Sequence, residues 1–407
     1  MGEVRNICFV GHSGTGKTKL AEALLKRGGG QVQLDSSPEA KTHGYSVDLN
    51  IGYIELDGTL LNIIDTPGFL EFIEELYKGL GVAETALLVV NAEKGVEVQM
   101  EKAWELIEQF ERPALAFINK MDLENADPAK VLGELQTKLD KRFTLLQLPI
   151  LEGGRFVGVV DLLENKAIYF DYPEGGQKKR KGEIPAGLSS QVEAERERLL
   201  EHLAEADDEL MMRFLEGEEL EAEQLRAALK EAVAQRLLVP VLFGSAAAEL
   251  GLDLLTDYLV SATPPFATEE GQGPSALIFD LAADPYLGRL AFVKVYGGAL
   301  SEGAALTNLS QKKKERVKDI YRLRGGPTEK VQRAEPGELV ALPKLDGPAI
   351  GDTLAADEEA PELKLADFPK PVFSRALLPS SQADEEKMST ALKELIGAIH
   401  EVFPLKG

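Results

Sequence analysis

The chain of 407 residues carries a formal net charge of −23, is 44% hydrophobic and contains one cysteine. Its length predicts two or three domains, and its acidity excludes a broad basic face that would bind naked DNA. No uncharged apolar run reaches the roughly eighteen residues of a membrane span, and the N-terminus lacks the pattern of a secretory signal. A lone thiol cannot form an internal disulfide. We therefore expect a cytoplasmic protein without membrane contact.

The first part of the chain alternates short apolar runs with amphipathic segments. The apolar runs predict strands at Asn6–Val10, Leu60–Ile64, Ala86–Asn91, Ala114–Asn119 and Val239–Gly244. The amphipathic segments predict helices at Lys17–Arg27, Val98–Phe110 and Pro128–Lys141. This alternation predicts an α/β domain with a mostly parallel sheet and helices on both faces. Ligands of such sheets bind beyond the carboxyl ends of the strands.

Between about residues 148 and 236 the pattern changes. Two strands are predicted at Phe156–Leu163 and Lys166–Tyr172, and a basic turn-rich stretch follows at Gly175–Gly182. Two long acidic helices are predicted at Gln191–Glu205 and Glu221–Arg236. The run Lys178–Lys181 in the basic stretch is either a contact to a phosphate backbone or a solvated loop, and the loop is favoured. Because a strand of the first domain follows this block, we interpret the block as an α+β subdomain inserted into a domain of residues 1–264.

Residues 274–366 predict a second domain of a different class. Short apolar runs between Gly and Pro residues predict strands at Leu290–Val295, Leu306–Asn308 and Leu339–Leu342. Many short strands with frequent turns are typical of a β-barrel. A predicted strand, Val372–Leu378, and a predicted helix, Asp384–Phe403, come last. Since two elements cannot bury a core alone, residues 371–407 are interpreted as the start of a third, α+β domain.

A phosphate-binding loop is predicted between the first strand and the first helix. It consists of Gly11, His12, Ser13, Gly14, Thr15, Gly16, Lys17 and Thr18. The glycines let backbone N–H groups turn towards the phosphates, and the helix N-terminus adds its dipole. Lys17 is predicted to bridge the β- and γ-phosphates, and the Thr18 hydroxyl is predicted to bind Mg²⁺.

A second motif follows the strand predicted at Leu60–Ile64. It consists of Asp65, Thr66, Pro67 and Gly68. An acid at this strand end is suited to hold Mg²⁺ through water, and the N–H of Gly68 is suited to sense the γ-phosphate. By itself this motif indicates no more than a surface turn. Its position after the phosphate loop favours a segment that orders with a nucleoside triphosphate.

A third motif indicates which base is bound. The motif begins at the last residue of the strand predicted at Ala114–Asn119 and consists of Asn119, Lys120, Met121 and Asp122. The Asp122 carboxylate can accept hydrogen bonds from the N1–H and amino group of guanine, a donor pair that adenine lacks. The Lys120 stem can cover the base. Ser245 and Ala246, after the strand predicted at Val239–Gly244, are predicted to give backbone N–H groups to the guanine oxygen. The sequence therefore predicts GTP as the substrate and Mg²⁺ as the cofactor.

In this order the motifs resemble those of elongation factor G, a translational GTPase. The resemblance includes the placement of the insertion and the segments Tyr286–Arg289 and Lys314–Val317. It implies a GTPase domain and a β-barrel domain that dock on ribosomal RNA and proteins, followed by further domains that carry translocation. We expect a monomer. A basic cluster in the predicted barrel is either a contact to RNA phosphates or a solvated hairpin: Lys312, Lys313, Lys314, Arg316, Lys318, Arg322 and Arg324.

The chain departs from the family pattern around the γ-phosphate. Gly14 replaces an Asp, and Phe69 replaces the His that positions the attacking water, a loss that typically costs about 10²–10⁴-fold in rate. The first switch of the family, Arg-Gly-Ile-Thr-Ile, matches residues 43–47, where His43 replaces the Arg and Ser46 keeps a hydroxyl. The metal residues are therefore predicted as Thr18, Ser46 and Asp65. The catalytic residues are predicted as Lys17, Gly68 and His43.

Two functions fit this sequence. In the first, the chain hydrolyses Mg-GTP on the ribosome, and the water is oriented by backbone, by His43 or His12, or by a ribosomal group. In the second, the chain holds GTP as a conformational signal with little turnover, because Phe69 has no group able to position water. An ATP-dependent enzyme is disfavoured by Asp122.

Overall fold

The computed structural model describes residues 2–29, 32, 34–35, 45–170, 179–216, 221–268, 271–284, 286–324, 328–365, 368, 377–379, 381, 384–385 and 387–388. The chain divides into two compact units, Met1–Pro265 and Phe266–Gly407. The predicted third domain, residues 371–407, lies almost entirely outside the described residues and stays a prediction. No helix among the described residues is both long enough and apolar enough to cross a membrane.

The first unit is built on a seven-stranded sheet. Its strands are β1 (Val4–Val10), β2 (Asn50–Leu56), β3 (Thr59–Asp65), β4 (Thr85–Asn91), β5 (Ala114–Asn119), β6 (Phe143–Leu145) and β11 (Val239–Phe243). Their order is β2-β3-β1-β4-β5-β11-β6. All neighbours pair in parallel except β2 and β3, which form an antiparallel hairpin. The predicted α/β fold with a mostly parallel sheet is confirmed, whereas β2 and β6 were not predicted.

Burial explains why these runs form strands. Every residue of β1, β3, β4, β5 and β11 is buried, which is typical of parallel strands that helices cover on both faces. The helices of this domain are α1 (Lys17–Arg27), α2 (Ile73–Val82), α3 (Val98–Gln109), α4 (Pro128–Lys138) and α8 (Leu252–Ser261). Cys8 in β1 is fully buried, and burial raises the pKa of its thiol.

The inserted block is an α+β subdomain. An antiparallel sheet in the order β10-β9-β8-β7 contains β7 (Gln147–Glu152), β8 (Arg155–Asp161), β9 (Lys166–Phe170) and β10 (Lys179–Gly182). The helices that follow are α5 (Ser189–Ala204), α6 (Asp208–Leu215) and α7 (Ala222–Ala234). Both long predicted helices are present, and α6 was not predicted. The basic run was interpreted as a loop, but Lys179–Gly182 pairs with β9 as an edge strand. Residues 171–178 lie outside the described residues.

The second unit contains an eight-stranded antiparallel sheet in the order β16-β15-β21-β12-β13-β20-β17-β18, as predicted for a barrel-like domain. Its strands are β12 (Ser275–Asp284), β13 (Gly288–Gly297), β15 (Ala305–Asn308), β16 (Lys313–Arg316), β17 (Ile320–Leu323), β18 (Thr328–Val331), β20 (Leu339–Pro343) and β21 (Thr353–Ala355). A separate two-stranded sheet pairs β14 (Leu300–Ser301) with β19 (Arg333–Ala334). Ile278, Val293 and Val340 lie in one buried apolar core.

The basic cluster of the second unit is partly neutralised within the unit. Arg322 forms a two-pronged ion pair with the buried Glu338, at 2.9 and 2.6 Å. Lys313 lies 3.7 Å from Asp346, and Lys314 lies 3.7 Å from Glu358. Arg322 is therefore a structural residue, whereas the exposed lysines of β16 leave both earlier interpretations of the cluster open.

Candidate guanine nucleotide site

The phosphate loop links β1 to α1, as predicted. Gly11 and Gly16 adopt φ values of 150° and 93°. A Cβ atom at Gly11 would lie 2.4 Å from the Val89 carbonyl oxygen, and one at Gly16 would lie 2.6 Å from the Asn119 amide nitrogen. Both positions therefore require glycine. At Gly14 a Cβ atom would meet nothing within 4 Å, so the loop is open at the position where the family has an Asp.

Lys17 is turned towards its own loop. Its ammonium group donates hydrogen bonds to the carbonyl oxygens of Gly11 and His12, at 2.8 and 3.0 Å. The side chain is buried, and burial lowers its pKa. Gly68 lies against it, because a Cβ atom at Gly68 would be 2.5 Å from the Lys17 ammonium and 2.5 Å from the Ser13 backbone nitrogen. The structure therefore brings two predicted catalytic residues together, while the third, His43, lies outside the described residues.

The predicted metal residues also meet. The hydroxyl oxygens of Thr18 and Ser46 are 3.0 Å apart. Asp65 is fully buried, and neither carboxylate oxygen has a hydrogen-bond partner among the described residues. Burial raises the pKa of Asp65, while the nearby Lys17 ammonium and Thr18 hydroxyl oppose the shift. A buried carboxylate without a partner is costly, and a cation would remove that cost. The residues present therefore fit a Mg²⁺ ion.

The ionisable side chains of the described residues do not form a complete metal centre by themselves. In the described part of the chain, no three or more His, Cys, Asp or Glu side chains are grouped to hold an ion. Phosphate oxygens of a nucleotide would have to complete the coordination. Sequence reasoning missed one residue here, Asp35, whose carboxylate accepts a hydrogen bond from the Ser46 hydroxyl at 2.7 Å. No motif marks Asp35, because its role depends on chain folding between α1 and β2.

On the base side, Asn119 joins three segments. Its amide nitrogen donates to the Thr15 carbonyl oxygen and its amide oxygen accepts from the Ala246 N–H, both at 2.9 Å. Lys120, at a φ of 67°, donates to the Gly14 carbonyl oxygen at 2.7 Å. Asp122 follows on the exposed surface. The phosphate loop and the base-side motif are thus held together by hydrogen bonds within the protein.

Ser245 and Ala246 follow β11, and their backbone N–H groups have partners within the protein. Both were predicted to offer backbone N–H groups to guanine, but the N–H of Ser245 donates to Leu250 at 3.0 Å and that of Ala246 to Asn119. The Ser245 hydroxyl accepts from the Ala248 N–H at 3.0 Å. The loop after β11 therefore frames the base-side motif, since its donors are engaged with the protein.

Phe69 and His12 have partners of their own. The Phe69 ring packs on Tyr45, with ring centroids 4.6 Å apart, and Tyr45 also lies 6.2 Å from the Phe72 ring. This contact joins the segment after Gly68 to the segment that carries Ser46. The His12 Nε2 atom lies 3.3 Å from a Glu97 carboxylate oxygen, and burial lowers the pKa of His12.

Comparison with known proteins assigns the family. The family model of the elongation factor Tu GTP binding domain matches residues 2–265, and that of elongation factor G domain 2 matches residues 274–357. An elongation factor G-like protein of Thermotoga maritima is 34% identical over 415 residues, which cover 96% of this chain and 60% of that protein. Elongation factor G of Thermotoga petrophila is 35% identical over 422 residues, which cover 97% and 61%.

A solved structure agrees with this assignment. A crystal structure of a protein from Thermus thermophilus superposes with a TM-score of 0.88 at 31% identity, covering 97% of this chain and 61% of that one. The chain thus spans about 60% of the length of the relatives it matches. It belongs to the elongation factor G-like translational GTPases.

Proposed function

We propose that this member of the family binds GTP and selects guanine through Asp122. The observation that carries the proposal is the double hydrogen bond of Asn119, which holds the base-side motif against the phosphate loop. With this frame in place, the exposed Asp122 carboxylate can accept two hydrogen bonds from guanine. Adenine would leave that carboxylate without donors, and a site built on such bonds discriminates strongly.

We propose that the phosphates bind where Lys17 and Gly68 now face each other. The Lys17 ammonium would exchange its two carbonyl acceptors for phosphate oxygens, and the Gly68 N–H would donate to the γ-phosphate. Thr18, Ser46 and Asp65 would hold Mg²⁺, with Asp65 acting through water. When bound, Mg²⁺ neutralises the charge that develops on the transferred phosphoryl group.

We further propose hydrolysis of GTP to GDP and phosphate on the ribosome, by a cytoplasmic monomer. Family membership supports this step, as do the exposed lysines of β16, which could meet RNA phosphates. Lys17, the Gly68 N–H and His43 are the proposed catalytic groups, and His12 is a weaker candidate because Glu97 engages its ring.

The test is GTP turnover by the purified chain with and without ribosomes, together with the affinities for GTP, GDP and ATP. We expect strong preference for guanine nucleotides and turnover that rises with ribosomes. Equal affinity for ATP and GTP would contradict the proposed base selection. Tight GTP binding without turnover under either condition would leave binding intact and exclude the enzymatic role.

The second candidate function is a GTP-binding conformational module with little turnover. It is favoured by the Tyr45–Phe69 contact, because the residue at the water-positioning place packs on the other switch segment and carries no proton acceptor. Phe69→His is the discriminating variant, and Phe72→His, in the same aromatic cluster, is the matched control. For a module, Phe69→His should raise turnover by up to about 10²-fold while Phe72→His does not. No change would mean that another group already positions the water.

A further inference from the structure

The second unit contains a cavity of about 610 Å³, and every described residue that lines it belongs to that unit. The cavity lies between residues 271–275, which lead into β12, and residues 357–363, which follow β21. A cavity of this volume can hold a small organic molecule. Its lining combines two kinds of chemistry, one aromatic and aliphatic and the other acidic, and each kind restricts the class of ligand.

One part of the lining is aromatic and aliphatic. The rings of Phe266 and Tyr296 meet at an angle of 80° with their centroids 5.8 Å apart, and Pro361 and Leu363 also line the cavity. The ring faces already attract a positive charge of the protein, because the buried Lys294 ammonium lies 4.7 and 5.1 Å from the two ring centroids. This part of the lining therefore offers hydrocarbon surface for methylene groups beside electron-rich rings.

The other part of the lining is acidic. The exposed residues Asp357 and Glu359 line the cavity, and the Asp357 carboxylate accepts a hydrogen bond from the Glu359 N–H at 2.9 Å, which fixes the turn that carries both. Glu358 has a partner elsewhere, since its carboxylate lies 3.7 Å from the Lys314 ammonium. Neither Asp357 nor Glu359 forms an ion pair with another described residue. Two carboxylates on one turn repel each other, so a ligand with several positive charges would stabilise the pair.

We propose that this cavity binds a linear polyamine, a molecule in which short methylene chains separate protonated amines. The ammonium groups donate hydrogen bonds to Asp357 and Glu359. The methylene chains pack on the rings of Phe266 and Tyr296. A compact metal ion would use the carboxylates alone, and an uncharged apolar molecule would use the rings alone, whereas a polyamine matches both parts of the lining. The inference concerns the second unit and does not depend on the proposed binding of GTP.

The experiment is a calorimetric titration of the whole chain with spermidine in about 0.15 M salt, where attraction between distant charges is screened. Because the net charge of −23 attracts any polycation, matched variants separate the cavity from the rest of the acidic surface. Glu359→Gln removes a charge that lines the cavity, and Glu362→Gln removes an exposed charge that does not. Glu359→Gln should raise the Kd about three- to tenfold, whereas Glu362→Gln should change it less than about twofold.

A further variant changes the space in the cavity and leaves the charge unchanged. Ala267 is exposed and lines the cavity, so the indole ring of Ala267→Trp would occupy volume that the polyamine needs. We expect Ala267→Trp to weaken spermidine binding at least as much as Glu359→Gln does. If circular dichroism shows that Ala267→Trp does not fold, Asp357→Asn takes its place, because Asn keeps an oxygen that accepts from the Glu359 N–H. Asp357→Asn should raise the Kd by the same factor as Glu359→Gln.

One spermidine molecule per chain, bound more weakly by Glu359→Gln and Ala267→Trp but not by Glu362→Gln, supports the proposal. Equal effects of the two glutamate variants, or an unchanged affinity in Ala267→Trp, indicate non-specific attraction to the acidic surface and overturn it. Full displacement of spermidine by Mg²⁺ at an equal concentration of charge also overturns it, because the site would then respond to charge alone. A wild-type chain that does not bind spermidine overturns it too, and leaves the proposed GTP binding, which is measured separately, untouched.

Discussion

The site has a base side around Asn119 and a phosphate side around Lys17 and Asp65. The two sides differ in whether the protein itself satisfies their buried polar groups. On the base side, Asn119 already satisfies both Thr15 and Ala246 without any ligand. On the phosphate side, Asp65 is buried with no hydrogen-bond partner among the described residues, and Lys17 is bonded to carbonyls of its own loop. A preformed frame suits discrimination between bases, because it does not adapt to the wrong one. A frame with unsatisfied groups suits a switch, because the ligand itself completes it.

The largest expected effect falls on the base side. Asp122→Ala should weaken GTP binding by about 10²–10⁴-fold, since two hydrogen bonds to a charged acceptor are lost. Asp122→Asn should prefer a base that presents an oxo group beside its N–H, as xanthine does. Titration with guanine, xanthine and adenine nucleotides measures both effects, with the exposed Glu124→Ala as control. Unchanged GTP affinity in Asp122→Ala would mean that another group selects the base.

The next effect tests whether the base side is formed without nucleotide. Asn119→Ala should lower the free energy of unfolding of the nucleotide-free protein by about 2 to 4 kcal/mol, because the Thr15 carbonyl and the Ala246 N–H lose their partner in a buried setting. Asn125→Ala, at an exposed position, should change it by less than about 0.5 kcal/mol. Chemical denaturation measures both variants. Equal, small changes would show that the frame forms only when the ligand binds.

The phosphate side should respond in the opposite direction. Asp65→Asn removes a buried charge that has no hydrogen-bond partner in the described part of the chain, so it should raise the unfolding free energy of the nucleotide-free protein by about 1 to 2 kcal/mol. The same variant should lose Mg²⁺-dependent nucleotide retention. Denaturation without nucleotide, beside the exposed Asp57→Asn, measures the first effect. A destabilised Asp65→Asn would show that the carboxylate is satisfied in the folded protein.

The smallest expected effect is a dependence of the unfolding free energy on pH, and it comes from the contact between the inserted subdomain and β6. His202 on α5 lies 2.8 Å from the Thr144 hydroxyl on β6, and burial, followed by the charge of Arg142, lowers the pKa of His202 below its usual 6.5. The unfolded chain therefore takes up this proton first as the pH falls. The contribution of neutral His202 to the unfolding free energy is therefore present above pH 6.5. It is lost as the pH drops through the lower pKa of the folded state.

His202→Gln should remove this part of the acid sensitivity. The difference from wild type should stay below about 1 kcal/mol, because the side chain is half-buried and solvent screens its charge. Unfolding free energies at about pH 7.5 and pH 5.5 for both proteins measure it. Identical pH slopes would exclude His202 as a contributor.

The sequence predicted what is encoded in contiguous residues. The phosphate loop and the segments that begin at Asp65 and Asn119 each follow a strand, and their chemistry could be derived from residue types and position. What was missed depends on long-range contacts. The Asp35 carboxylate accepts hydrogen bonds from the side chains of Asn50 and Ser46, and the Phe69 ring packs on Tyr45. No local pattern specifies such pairs, because each joins segments that only the folded chain brings together.

Short elements were missed for a related reason. The strand β6 has three residues and pairs with β11, which follows almost a hundred residues later, so its own composition carries no strand signal of adequate length. The basic strand β10 pairs with β9 although its lysines and arginine would favour a solvated loop. In both cases a neighbouring strand, and not local propensity, determines the conformation.

The position of the insertion also affects how the protein is made. Asn119 and Ala246, which hydrogen-bond in the finished fold, are 127 residues apart in the chain. A ribosome that adds about 5–20 residues per second needs roughly 6 to 25 s to synthesise the residues between them. In the finished sheet β5 lies between β4 and β11. Until β11 has been synthesised, β5 is an unpaired edge strand with apolar side chains, and such an edge can pair with the wrong strand. We therefore expect the nascent chain to be prone to aggregation while its inserted subdomain is being synthesised, until β11 pairs with β5.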